Sequence, residues 1–189
     1  GRPRADAPAR PRHRDLGGAP RKPGEAAPGV DATGEKGRQW RRAALLGRAY
    51  VLYVYPRDET PGCTVQACAF RDAWKDFREL QILVLGVSRD GPEEHRRFIE
   101  RRRLPFPLLC DADGTMHAAY GATMLGGLPR RVSYLIRNDG HIAAGSQPHP
   151  RTEAPPEHMV DPATEPAAGG QTGHAKLPSC GRSGDAPTR

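Results

Sequence analysis

Long apolar runs are missing from these 189 residues. The longest, Ala49 to Tyr55, has seven residues, which is strand length and far short of the roughly 20 needed for a membrane-spanning helix. The N-terminus lacks the apolar stretch of a secretory signal, and the basic arm up to Trp40 contains no serine, unlike a transit peptide. Cysteine is scarce, with four residues, too few for the disulfide framework of a small secreted domain. No glycine-rich phosphate loop or dinucleotide fingerprint follows a strand, so no nucleotide cofactor is expected. His149, His158, His174 and Cys180 do not have metal-ligand spacing, so no metal is expected either. The expected location is the cytoplasm, with no membrane partner.

Lysine is nearly absent from the 29 basic residues, and arginine takes its place. The net charge of +7 is concentrated at one end: residues 1–48 carry +7, residues 49–142 carry +1 and residues 143–189 carry −1. An arginine-rich arm can bind nucleic acid or an acidic surface. Here it comes with abundant Ala, Gly and Pro (22 Gly and 20 Pro in the chain), a compositional bias that makes a solvated tail the expectation and a nucleic-acid partner not expected. The reading is a disordered basic arm over 1–40, one domain over 41–145 and a disordered tail over 146–189. Residues 29–39 look too polar and glycine-rich for a convincing hairpin.

Within the domain the pattern alternates. Ala49–Tyr55 and Ile82–Ser88 are apolar without polar alternation, as strands buried on both faces are. A helix is expected from about Cys63 to Leu80, where Val65, Cys68, Ala69, Ala73 and Phe77 recur at helical spacing, and another from about Pro92 to Arg103. A short strand over Phe106–Cys110, a short helix over Met116–Tyr120 and a glycine-rich link over Gly121–Pro129 follow. Strands over Arg131–Ile136 and His141–Ala144 flank Asn138-Asp139-Gly140, a hairpin signal. The order implies an α/β sandwich with a central mixed sheet flanked by helices.

The informative stretch is Tyr55 to Asp72, which puts Cys63 where a buried strand hands over to a helix. Unpaired backbone N–H groups and the macrodipole at a helix start favour the thiolate, the nucleophilic form. The same N–H groups can bind an oxygen that gains negative charge. Thr60 can aim its hydroxyl into the same place. A lone cysteine would more simply be a packed apolar residue; the Pro61-Gly62 turn, the junction and a second cysteine argue for chemistry here.

Pro56-x-x-x-Thr60-x-x-Cys63 matches the active-site signature of peroxiredoxins, and with Phe70-Arg71-Asp72 it resembles the bacterioferritin-comigratory (PrxQ) branch. Gly86-Val-Ser88, Leu104-Pro-Phe106, Leu108-Leu109 before Asp111-x-Asp-Gly114, and Arg131-x-Ser-Tyr-Leu-Ile136 occur in the order of that branch. The resemblance implies a thioredoxin-like fold and reduction of hydrogen peroxide or organic hydroperoxides. By position, Cys63 resembles the peroxidatic cysteine, Thr60 would hydrogen-bond the peroxide, and Pro56 would shield the sulfur. Arg131 would stabilise the thiolate; neighbouring strand residues face opposite ways, so Arg130 is expected to be a solvated arginine. Cys68 would resolve a sulfenic acid on Cys63 as a disulfide, reduced in turn by thioredoxin. On an intact helix, i and i+5 have Cα atoms about 8–9 Å apart, beyond disulfide reach of about 7 Å, so the start of the helix must unwind first.

Cys110 is expected to be a packed thiol, and nothing positions Cys180. The branch closes its fold with a C-terminal helix, for which residues from Ser146 onward show no periodicity, and Gln66 stands where a glutamate is common. A catalytically impaired homologue acting as a redox-sensing or interaction module is the alternative reading. A general thiol–disulfide exchanger is disfavoured by the absence of Cys-x-x-Cys spacing. A monomer is expected.

Overall fold

The computed structural model describes residues 18–147. In chain order the elements are β1 (Asp31–Gly34), β2 (Gln39–Arg41), α1 (Arg42–Leu45), β3 (Tyr50–Val54), α2 (Pro61–Asp72), α3 (Trp74–Glu79), β4 (Leu83–Ser88), α4 (Pro92–Arg102), β5 (Leu108–Cys110), α5 (Thr115–Ala119), β6 (Val132–Ile136) and β7 (Ile142–Ser146). The strands form one sheet in the order β2-β1-β5-β4-β3-β6-β7. β5, β4 and β3 are parallel, and the other pairings are antiparallel. This is the mixed sheet with flanking helices that the pattern of elements implies, in the thioredoxin-like arrangement that the resemblance implies.

β3 and β6 are buried at every position, because both faces of the sheet are covered. On one face Val51, Tyr53, Tyr55, Val84, Leu108 and Leu135 pack with Phe70 and Phe77 of α2 and α3 and Phe98 of α4. On the other, Leu52, Val54, Leu85, Val87 and Leu109 pack with Met116, Tyr120, Tyr134 and the segment around Val30. Side chains of a strand alternate between faces, so β3 supplies both cores in turn. Gly86 lets the aromatic layer close: a Cβ there would lie 2.5 Å from Leu108 and 2.7 Å from the Tyr53 ring and hydroxyl. Gly86→Ala is therefore expected to cost about 1–3 kcal/mol through overpacking, measured by urea denaturation; an unchanged midpoint would contradict this packing.

The sheet begins earlier than the boundary expected at residue 41. Residues 31–41 form the β1–β2 hairpin, and β1 pairs with β5. Their polarity misleads because only one side of the hairpin is covered: exposed and buried positions alternate along β1, and Trp40 is the buried residue of β2. Gly34 makes room for that indole, since a Cβ would lie 3.0 Å from its Nε1, and the Arg38 guanidinium sits 4.3 Å above the ring centroid.

The single helix expected from Cys63 to Leu80 is two. α2 ends at Asp72, and Ala73, at φ −84° and ψ 5°, links it to α3. α4 ends on Arg103 in the left-handed region, with backbone N–H groups returning to Ile99 and Glu100. The hairpin at Asn138-Asp139-Gly140 forms as the turn chemistry implies, with Gly140 at φ 83°, and β7 runs on to Ser146. The basic arm up to residue 17 and the tail from 148, with Cys180, His149, His158, His174 and the expected lack of a closing helix, lie outside the described residues. Among those described, no helix is long and apolar enough to cross a membrane.

Candidate active site

Thr60 is the N-cap of α2, Pro61 its first residue and Cys63 its third. Proline suits that first position because its missing N–H would have no partner in any case. The first amide bonded within the helix here is that of Thr64, to the Thr60 carbonyl, so the amides of Gly62 and Cys63 belong to the unpaired set at the helix start. Cys63 is 4% exposed and packs among Tyr53, Tyr55 and Phe70.

The structure brings Arg131 to this point. It precedes β6, two strands away from the helix in sequence, and its Nη1 donates to the Gly62 carbonyl at 2.8 Å. A Cβ on residue 62 would meet that Nη1 at 2.9 Å, so the guanidinium lies directly on the backbone next to the cysteine. A second tie between α2 and β6 runs from Gln66 Nε2 to Ser133 Oγ, 3.0 Å and buried. The amide at 66 thus works as a donor, which a carboxylate could not do. Gln66 and Ser133 fix the relative position of helix and strand, and so of Cys63 and Arg131.

Thr60 Oγ1 donates to the Arg57 carbonyl at 3.1 Å. Its proton is committed there, and the oxygen's lone pairs remain as acceptors. Pro56 is half-buried at the start of the loop. Arg130 is not the solvated arginine expected. It is part-buried, with Nε donating to the Gly121 carbonyl at 2.8 Å and Nη2 to that of Gly18 at 2.6 Å. Strand alternation sends it to the opposite face from Arg131, but there it meets chain rather than solvent.

Cys68 is 2% exposed on α2, which runs unbroken through both cysteines; no disulfide joins them. Cys110 ends β5, half-buried. Burial, helped by the carboxylates of Glu35, Asp58, Asp90 and Glu94, pushes its thiol up to about 11. The neutral thiol is the form the fold favours, so the stability it contributes is complete below its ordinary value near 9 and is lost as pH climbs towards 11. Cys110 is accordingly expected to resist iodoacetamide between pH 7 and about 9, where only thiolate reacts. Rapid labelling of Cys110 at neutral pH would contradict that environment.

The loop from Tyr55 to Thr60 is held more firmly than its sequence indicates. Tyr55 Oη donates to Asp58 Oδ1 at 2.6 Å, and the amide of Asp58 donates to Asp90 Oδ2, also at 2.6 Å. Arg101 and Arg102 grip Glu59 at 3.5 and 2.8 Å. That grip accompanies a left-handed backbone at Glu59, φ 57°, a conformation that costs a non-glycine residue energy. The sequence marks none of Asp58, His95 and His117 as a site residue, and Asp111 only within the Asp111-x-Asp-Gly114 string. The available signal was His95 among the apolar positions of a helix, since a histidine placed in a core needs polar partners.

A mixed sheet of this order, with a cysteine at the start of the helix after the interior strand β3, defines a thioredoxin-like thiol protein. The AhpC/TSA family model matches residues 23–144, and the chain belongs to that family. It is 39% identical over 121 residues to a chloroplastic peroxiredoxin Q of Populus jackii, covering 63% of this chain and 57% of that protein. It is 41% identical over 128 residues to peroxiredoxin Bcp of Bacillus subtilis, covering 63% and 80%. Among solved structures, peroxidoxin BcpB of Mycobacterium tuberculosis aligns with a TM-score of 0.62 and 34% identity, over 67% of this chain and 85% of the other. The chain spans little more than half the length of the plant relatives it matches.

Proposed function

We propose that the protein is a thiol-dependent peroxidase for hydrogen peroxide and organic hydroperoxides, with Cys63 as the attacking group. The observation that carries this is the Arg131 guanidinium hydrogen-bonded to the backbone of Gly62, beside a cysteine at the start of α2. The thiolate of Cys63 attacks the outer oxygen of the hydroperoxide; the O–O bond breaks, sulfur is oxidised to the sulfenic acid, and the alcohol or water leaves with a proton. Arg131 and the free amides of the helix start stabilise charge on the leaving oxygen. Thr60 accepts the hydroperoxide O–H, and Pro56 keeps water from the sulfur.

Cys68 then attacks the sulfenic acid, releasing water and forming the Cys63–Cys68 disulfide. A dithiol reductant of the thioredoxin type returns both cysteines to thiols and leaves oxidised itself. Because α2 is intact and both sulfurs are buried, its first turns must open between the two steps. Such a cycle suits a reducing compartment such as the cytoplasm, and a monomer suffices for it, since both cysteines lie on one helix. The names of the relatives, peroxiredoxin Q and peroxiredoxin Bcp, support the same reading.

The test is peroxide-dependent NADPH oxidation with thioredoxin and thioredoxin reductase. Turnover supports the reading; no turnover, with a folded chain, overturns it and leaves the impaired homologue. Cys68→Ser is expected to consume about one equivalent of peroxide and then slow by about tenfold or more with thioredoxin, because the sulfenic acid loses its internal partner. Unchanged steady-state turnover would make Cys68 a packing residue.

A further inference from the structure

Two buried aspartate–histidine pairs meet at Tyr55. His95, on α4, and His117, on α5, are both 0% exposed. His95 Nδ1 lies 2.7 Å from Asp58 Oδ2 and its Nε2 3.2 Å from the Leu109 carbonyl. His117 Nδ1 lies 2.6 Å from Asp111 Oδ2 and its Nε2 3.1 Å from the Tyr55 carbonyl. Asp58 also accepts the Tyr55 hydroxyl, and Asp111 accepts the amides of Met116 and His117. One pair therefore holds Tyr55 by its side chain and the other by its backbone. Burial keeps the Tyr55 phenol far above its ordinary range, so it remains a donor.

Tyr55 is the first residue of the loop that leads from β3 to Cys63. Its ring stacks on Tyr53 at 5.2 Å between centroids, and Tyr53 stacks on Phe70 of α2 at 4.7 Å. The residue held by the two pairs is thus linked both to the loop and to the helix whose first turns carry the cysteines. What sets these two histidines apart is that the partners of both converge on one residue, Tyr55, through Asp58 for His95 and through its own carbonyl for His117; removing either partner strands a buried polar group.

The geometry points to His95–Asp58 and His117–Asp111 as positioning pairs that clamp Tyr55 and thereby hold the start of α2 closed, setting how often Cys68 becomes reachable. This rests on the proposed cycle for its purpose, but not for its measurement. In the reduced full-length protein Cys68, 2% exposed, reacts with a thiol reagent only when that end of the helix opens.

The experiment is native-state labelling of Cys68 by iodoacetamide, followed by peptide mass spectrometry, without peroxide. Tyr55→Phe, which removes one hydroxyl, is expected to raise the labelling rate on the order of tenfold. The histidine variants should rank in opposite orders. An asparagine amide replaces Nδ1 and a glutamine amide replaces Nε2, so His95→Asn, keeping the donor to Asp58, should label more slowly than His95→Gln. His117→Gln, keeping the donor to the Tyr55 carbonyl, should label more slowly than His117→Asn. A purely structural role predicts a lower melting temperature with Cys68 labelling unchanged in Tyr55→Phe, and that result, or the same ranking at both positions, overturns the proposal. Failure of peroxide to oxidise Cys63 in the wild type would instead overturn the peroxidase reading and leave the labelling result to stand.

Discussion

Cys63→Ser is expected to abolish peroxide consumption, a loss of about a thousandfold or more of the kind seen when a nucleophile is removed. Serine preserves the shape of the side chain, so the fold is expected to survive; only the ionisable, polarisable atom is lost. An alcohol at the start of α2 gains little from the unpaired amides there, because it does not ionise near neutral pH. Cys110 lies in a different environment. That thiol is half-buried at the end of β5 with carboxylates around it, and its titration is pushed up to about 11. Cys63 instead has a helix start and the Arg131 guanidinium beside it. Stopped-flow peroxide consumption by Cys63→Ser checks the expectation, and residual activity near wild type would move the chemistry elsewhere.

Arg131→Ala is expected to slow the reaction with peroxide by about a hundredfold, the scale for losing one preorganised donor at a developing oxyanion. The guanidinium carries five N–H donors, and Gly62 takes one of them. Arg131→Lys should recover only part of the rate, since an ammonium cannot hold the Gly62 carbonyl and a second oxygen in one plane. The cost should fall on the second-order rate with peroxide and not on reduction of the disulfide, in which the leaving oxygen takes no part. Single-turnover kinetics separate the two steps. Equal slowing of both would mean that Arg131 merely holds the helix in place.

Much of this was legible in the sequence, for definite reasons. β3 and β4 announce themselves because central strands covered on both faces must be apolar throughout, and the junction at Pro61-Gly62-Cys63 follows from turn and helix-start chemistry. Strand alternation allowed only one of Arg130 and Arg131 to face the pocket, and the resemblance chose Arg131. What alternation could not say is what Arg130 meets on the other face, since the carbonyls of Gly18 and Gly121 reach it through tertiary folding alone. The β1–β2 hairpin was missed because its buried apolar residues, Ala32 and Trp40, are few and stand between exposed polar ones. The clamp on Tyr55 escaped for a related reason. Its members come from the 55–60 loop, α4, α5 and the turn after β5, and single charged residues in a sequence carry no sign of which buried partner they will meet.

The most direct measurement is peptide mapping by mass spectrometry after one equivalent of hydrogen peroxide is added to the Cys68→Ser protein. A single oxygen on Cys63, trapped by a sulfenic-acid reagent, with Cys110 unmodified, is the predicted result. An unmodified Cys63, or oxygen distributed evenly over the cysteines, would contradict a site built around that sulfur.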